Sequence, residues 1–317
     1  MTRPRIVGPV VLLVAALLLG AAPLAAPLSA PLGAQEHAAE AVDIITPHIS
    51  DGNHMEVPWP VFPFFKEITL PHWEPVRIGG VTIDLSPTKH VVMLLVGATL
   101  LCLLMILAAN AQRRSTAAGA APKGAPNAAE AMVLYIRDEV ILPNVGHHGE
   151  GFVPYLLTAF FFILTLNLLG LVPYGATATG NISVTATLAL MTFVTVEIAG
   201  IRANGIGYLS TMFYWNKELP LLMRPIMFVI MSPVEIIGKF TKPFALAIRL
   251  FANMTAGHIV VLAFVGLIFA AAGPASVLPF LMALAIMFLE IFVAFLQAFV
   301  FTLLSAVFIG QIREVAH

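Results

Sequence analysis

Charge is scarce in this sequence. The 317 residues include 16 Lys or Arg and 17 Asp or Glu, so 10% are charged, against about 25% in soluble domains. That excludes an ordinary soluble fold. The few basic residues are scattered singly, with no basic patch, which sets aside a nucleic-acid partner. A single cysteine, Cys102, lies inside an apolar run, excluding an internal disulfide and any cysteine-based metal site; its role is packing. Internal repetition is also missing, since the stretch around Arg249 has no second copy, and this counts against a secondary transporter built from two matching halves. Apolar residues fill the chain instead, at 59%. The class is an all-α polytopic membrane protein.

Taken in order, Arg3 and Arg5, the apolar run from Ile6 to Leu19 and the small residues and prolines up to Ala34 predict a cleaved signal peptide over 1–34. The alternative is an uncleaved first helix, which the prolines from Pro23 to Pro31 would break. Residues 35–88 hold eight acidic residues, only Lys66 and Arg77 as basic ones, and prolines at 47, 58, 60, 63, 71, 75 and 87. They read as an extracytoplasmic segment with little room for long helices. His37, His48, His54 and His72 lack the close paired spacing of a metal site.

The membrane domain is expected over 89–317. Apolar runs over 90–109, 152–172, 182–201, 225–272 and 275–310 predict about five transmembrane helices, because about 20 residues cross the hydrocarbon core. Residues 128–142, with Met132, Val133, Ile136 and Val140 on one side and Glu130, Arg137, Asp138 and Glu139 elsewhere, predict an amphipathic helix at the cytoplasmic surface. His147 and His148, next to Gly149 and Glu150, read as a solvated turn. Arg113, Arg114, Arg202, Arg224 and Arg313 fall on one side of five spans, giving an outer N-terminus and a cytoplasmic C-terminus. As single helices the last two runs would be about 70 and 55 Å long. They are expected to be strongly tilted, with Pro233 and Pro243 as candidate breaks in the first.

The polar residues in these two long runs are the candidates for function. Arg249 lies mid-run, where an arginine must face protein or a water-filled path and find a partner. At about 100° per residue, Glu235, Arg249 and Asn253 share a stripe and His258 projects to the opposite side. Glu290 and Gln297, seven residues apart, share a face of the last helix. In an antiparallel hairpin Glu290 would be level with His258. The blander readings are an i, i+4 pair of Glu235 with Lys239, a satisfied interior His258, and Asn253 and Gln297 as interhelical hydrogen-bond glue. Glu197, near the inner end of its span, is a second-tier candidate. Thr185, Thr187, Thr192 and Thr195 can bond to their own helix or to a neighbour.

The run Pro243-Phe-Ala-Leu-Ala-Ile-Arg249-Leu-Phe-Ala-Asn253-Met-Thr-Ala-Gly-His258 resembles the signature of subunit a of the rotary F-type ATP synthases. The likeness extends to Glu235, Glu290 and Gln297, and more weakly to Asn181, Ser183 and their neighbours through Thr185. It implies a proton-translocating stator without catalytic chemistry, cofactor or metal of its own. The implied partners are the c-subunit ring, the b-subunit peripheral stalk, the remaining synthase subunits and the bilayer, in a bacterial inner membrane. The resemblance makes Arg249 the essential charge facing a c-ring carboxylate. Glu235, Asn253, His258, Glu290 and Gln297 become a proton path in two offset half-channels. The histidine precedes the glutamate here, the reverse of some family members. A sodium-translocating version and an unrelated ion transporter remain the alternatives.

Overall fold

The structure is a computed structural model that describes residues 50–58, 65–78, 81–84, 86–117, 124–146, 149–172, 176–208, 223–271 and 273–314. The expected signal peptide, His37, His48, His147, His148, the first part of the 173–180 turn and the 209–222 connection lie outside these residues. Among the described residues, five helices are long and apolar enough to cross a membrane. They are α1 (Lys89–Ala117), α4 (Val153–Gly170), α5 (Ile182–Asn204), α6 (Met223–Ala270) and α7 (Val277–Glu314). The chain is thus all-α in its membrane part. The 35–88 segment, whose prolines leave little room for long helices, contributes two antiparallel β-ribbons. β1 (His54–Pro58) pairs with β2 (Phe65–Thr69), and β3 (Val76–Ile78) with β4 (Val81–Ile83).

Between α1 and α4 lies the expected surface helix, in three pieces. α2 (Ala125–Tyr135) runs into a π-helical stretch, Ile136–Ile141, and then α3 (Leu142–Val145). Pro143 explains the widening. Its ring has no N–H and would clash with the carbonyl four residues back in a regular helix. A π turn accommodates this, and the Leu142 N–H donates to the Arg137 carbonyl instead. The extra residue turns Ile136, Val140, Ile141 and Val145 into the protein.

α7 is the central element and packs against α6, α4, α5 and α3, while α1 packs on α4 and α2. Phe162, Ile163, Leu166, Leu188, Leu250 and Ile309 form the centre of the core. Close approach of α7 to α3 depends on Gly310, where an added Cβ would lie 2.1 Å from the Asn144 carbonyl oxygen. The α7 terminus is tied down nearby by Arg313, which donates to the Val145 carbonyl at 3.1 Å, and by Asn204, which donates to the Ile312 carbonyl at 2.9 Å.

α6 and α7 contain 48 and 38 residues, about 72 and 57 Å at 1.5 Å per residue. Pro233 and Pro243 do not end α6, which is one helix through both. Each proline removes one ladder bond, a loss that helices packed among others in a membrane tolerate. Much of both helices faces outward, with Val229, Val234, Ile237, Phe240, Phe244 and Ile248 of α6 exposed, and Leu278, Phe288, Leu289 and Phe292 of α7.

Candidate functional site

The long helices carry polar side chains at three levels. At the middle level Arg249 is exposed on α6 beside exposed Asn253, with exposed Glu235 further down the same stripe. This is the arrangement expected from helical spacing. No carboxylate among the described residues comes within ion-pair distance of Arg249. Its inward neighbours are Leu246 and Leu250 on α6 and Gln297, Val300 and Phe301 on α7, which together line a shallow crevice. Gln297 is buried there, on the same face of α7 as buried Glu290.

Toward the end that carries Arg202, Arg224 and Arg313, a larger crevice of about 160 Å³ opens between α5, α6 and α7. Its walls include Glu197, Glu235, Lys239, Lys242 and Gln311, and Leu246 borders it as well as the Arg249 crevice. Lys239 feels Glu235, four residues back, as a longer-range charge. It turns to α5, where its Nζ lies 3.9 Å from Glu197 Oε1 and donates to Tyr208 Oη at 2.8 Å. Tyr208 in turn donates to Glu197 Oε2. Its ring fits over Gly200, where a Cβ would come within 2.5 Å of the ring edge. Burial and the adjacent Glu197 push the Tyr208 phenol well above its ordinary range, so it stays a donor at neutral pH. With side chains 7% and 19% exposed, Lys239 and Glu197 are a shielded pair on the crevice wall.

At the opposite end, the 176–180 turn between α4 and α5 folds back over α6. His258 leaves the Arg249 stripe and shares a hydrogen bond of 2.9 Å between its Nε2 and Thr177 Oγ1. Glu290 of α7 is level with it, as the hairpin geometry predicts. The carboxylate fills the space above Gly257, where a Cβ would lie 2.1 Å from Glu290 Oε1. That oxygen and Thr255 Oγ1 are both buried without a hydrogen-bond partner, the signature of a site that takes up water. Beside them Asn167, fully buried, accepts from Thr179 at 2.8 Å and donates to the Ala294 carbonyl at 3.3 Å.

Asn181 caps α5 by accepting from the Ser183 N–H at 2.9 Å and donates its own amide to Asp51 Oδ2 at 2.9 Å. Ser183 belongs to the first turn of α5, where its carbonyl accepts from Thr187. The α5 threonines bond mostly within their helix, while Thr192 also meets Tyr155 of α4 at 3.0 Å.

Residues 90–310 match the ATP synthase A chain family. ATP synthase subunit a of Chloroherpeton thalassium is 48% identical over 285 residues, covering 89% of this chain and 79% of its own. ATP synthase subunit a 2 of Chlorobaculum tepidum is 48% identical, covering 84% of this chain and 72% of its own. ATP synthase subunit a of Myxococcus xanthus is 43% identical, covering 84% and 92%. The chain belongs to the ATP synthase A chain family.

Membership in the ATP synthase A chain family makes this a multi-pass membrane subunit of an F-type synthase. Spacing along the two long helices brought out Glu235, Arg249, Asn253, His258, Glu290 and Gln297. It did not bring out Lys239, Tyr208, Asn167, Thr177 or Asp51. Two of these carry a signal: a lysine inside a span and an asparagine in the apolar run 152–172 are both costly in lipid. The others make contacts between distant segments, which periodicity does not report.

Proposed function

We propose that this chain is the proton-conducting stator of the synthase, offering two offset half-channels to a ring of c subunits. The observation that carries the reading is the setting of Arg249, an exposed guanidinium on an apolar helix face, with a polar crevice on one side of it and the polar cluster of His258 and Glu290 on the other. A charge so placed in lipid needs a partner. None is available among the described residues, and a carboxylate brought past by a neighbouring subunit would supply one.

Protons enter by way of Thr177, His258 and Glu290, where two buried oxygens are left without a partner, and neutralise a ring carboxylate so that it can enter lipid. After the ring turns, the carboxyl reaches the crevice lined by Glu235 and gives up its proton. Arg249 drives that release by favouring the ionised carboxylate. Being always charged, it also blocks direct leakage between the half-channels. Asn253 and Gln297 flank the arginine and limit its conformations. Glu197, held by Tyr208 and Lys239, shapes the exit crevice. The membrane potential supplies about 2.3 kcal/mol per charge per 100 mV to bias rotation.

The bacterial inner membrane is the setting, with residues 35–88 outside and the arginine-bearing helix ends in the cytoplasm, as the positive-inside rule requires. Helices of about 72 and 57 Å fit a core of about 30 Å by tilting, and the exposed flank of α6 and α7 faces the ring. The peripheral stalk docks elsewhere on the membrane domain. ATP-driven ion uptake by the complex in vesicles tests the reading. Pumping is expected without sodium, and Glu290→Gln is expected to slow it severely. Sodium-dependent pumping would reassign the ion, and unchanged flux in Glu290→Gln across pH 6–8 would remove the glutamate from the path.

A further inference from the structure

Resting on the entry half-channel just described, we propose that Asp51 and His90 form its outermost proton-handling station, joined to His258 through the 177–181 turn. Asp51 precedes the first β-ribbon, and His90 stands at the head of α1. Their contact, Asp51 Oδ1 to His90 Nδ1, is 2.7 Å long. The other Asp51 oxygen accepts from Asn181 at 2.9 Å. Asn181 and Thr177 bracket one tight turn, with Gly180 N–H donating to the Thr177 carbonyl at 2.8 Å. Thr177 meets His258 on the far side. Four residues of 3₁₀ geometry span about 8 Å, which is the distance the relay has to cover between the two pairs. The two titratable pairs, Asp51 with His90 and His258 with Glu290, thus stand at successive depths on one polar seam.

Their exposure is graded in the direction required. The Asp51 side chain is 35% exposed and that of His90 is 4%, so the carboxylate meets external water and the imidazole lies behind it. Burial pushes the Asp51 carboxyl up, but the hydrogen bond and charge of His90, with Thr88 and Gly52, outweigh it and leave the group below its ordinary range. Asp51 is therefore a fixed negative charge at neutral pH, which concentrates protons at the mouth, and His90 is the group that carries them. Over one cycle the imidazole takes one proton from external water and gives one to water on the inner side, so its proton count is unchanged.

Few other charges bear on the pair. Buried Lys89 is its neighbour on α1, His54 begins the adjacent ribbon, and Asp84 is engaged with Ser86 near His72. α4 carries no charged side chain, α5 none before Glu197, and the 176–180 turn none. α6 and α7 contribute His258 and Glu290.

A purely structural clasp would also join Asp51 to His90, and pH separates the two roles. The whole complex is reconstituted in vesicles with the extracytoplasmic side facing the lumen. ATP synthesis is then driven by a fixed potential while lumen pH is varied from 5 to 8. A positioned proton carrier is worth roughly 10²–10⁴-fold where transfer limits the rate, and a site open to bulk water falls below that range, at about tenfold.

His90→Gln and Asp51→Asn are each expected to match the unmodified complex at pH 5 and to be about tenfold slower near pH 8, with Asp51→Glu recovering most of the loss. Superimposable profiles would overturn the proposal, and so would a drop of the same factor at every pH, which is the mark of a clasp. If His90→Gln does not assemble, the near-isosteric Asp51→Asn decides by the same criteria. Glu290→Gln run alongside should fail at every lumen pH. Normal synthesis by that variant would instead strike at the half-channel reading beneath.

Discussion

Gly257 gives the sharpest separation of stability from transport. In Gly257→Ala the new methyl would lie 2.1 Å from Glu290 Oε1, 2.9 Å from Cδ and 3.2 Å from Cγ, where ordinary contact begins at 3.4 Å. The atom in the way is the far end of a side chain, so the carboxylate must withdraw by a little over 1 Å to reach normal contact. Strain from an off-rotamer glutamate costs about 0.5–1.5 kcal/mol. Replacing glycine by alanine inside a helix returns about 0.8–1 kcal/mol. The two nearly cancel, so the thermal stability of the purified complex should barely change. Transport should not be spared, because a misplacement of about 1 Å in a transfer path can cost 10²-fold. ATP-driven acidification of vesicles is expected to fall about 10–100-fold, with ATP hydrolysis by the soluble head retained. A variant that pumps within about twofold of the parent would refute the argument that the Glu290 carboxylate must occupy its place against α6.

Three further outcomes follow from the packing. Gly310→Ala drives a methyl into the Asn144 carbonyl, a backbone atom that cannot swing away, and should cost about 1–3 kcal/mol, read as a lower unfolding temperature or failed assembly. Lys239→Met leaves Glu197 shielded with Tyr208 alone and is expected to destabilise by about 1–3 kcal/mol. Adding Glu197→Gln should recover most of that in a double-mutant cycle, and additive losses would mean the pair is not coupled. The depressed Asp51 carboxyl contributes stability that is present above its unfolded value of about 3.9 and is lost as pH falls through the lower folded value. Amide protection at Lys89, whose N–H donates to the Gly52 carbonyl, should therefore hold from pH 7 to about 4 and fade below it. Asp51→Asn should lack that acid-side step.

The membrane architecture was legible because apolar length is a strong signal. Runs near 20 residues, and two runs twice as long, correspond to the five long helices. Helical spacing put Glu235, Arg249 and Asn253 on one stripe, and all three are exposed on α6; connectivity put Glu290 near His258, and Glu290 packs against Gly257 beside it. Proline was over-read: Pro233 and Pro243 predicted breaks, but one lost bond does not end a helix of 48 residues. Pro143, by contrast, does alter the chain by widening the turn before it. The β-ribbons of the N-terminal segment are three to five residues long and lie among prolines, too short for alternation to stand out. Lys239 shows the limit of local rules. Its i−4 neighbour Glu235 was the natural partner by spacing, yet Glu197 on α5 and Tyr208 in the turn after it offer a more shielded site. Choices between helices depend on packing, which one chain read along its length does not contain.

The central claim is that Arg249 both discharges the passing carboxylate and separates two half-channels. Arg249→Ala, assembled in the complete complex in vesicles, tests it directly when ATP hydrolysis, ATP-driven pumping and passive proton leak are measured together. The account expects hydrolysis by the soluble head to continue, pumping to vanish and leak through the membrane sector to rise. Coupled pumping at the normal rate by that variant would contradict it.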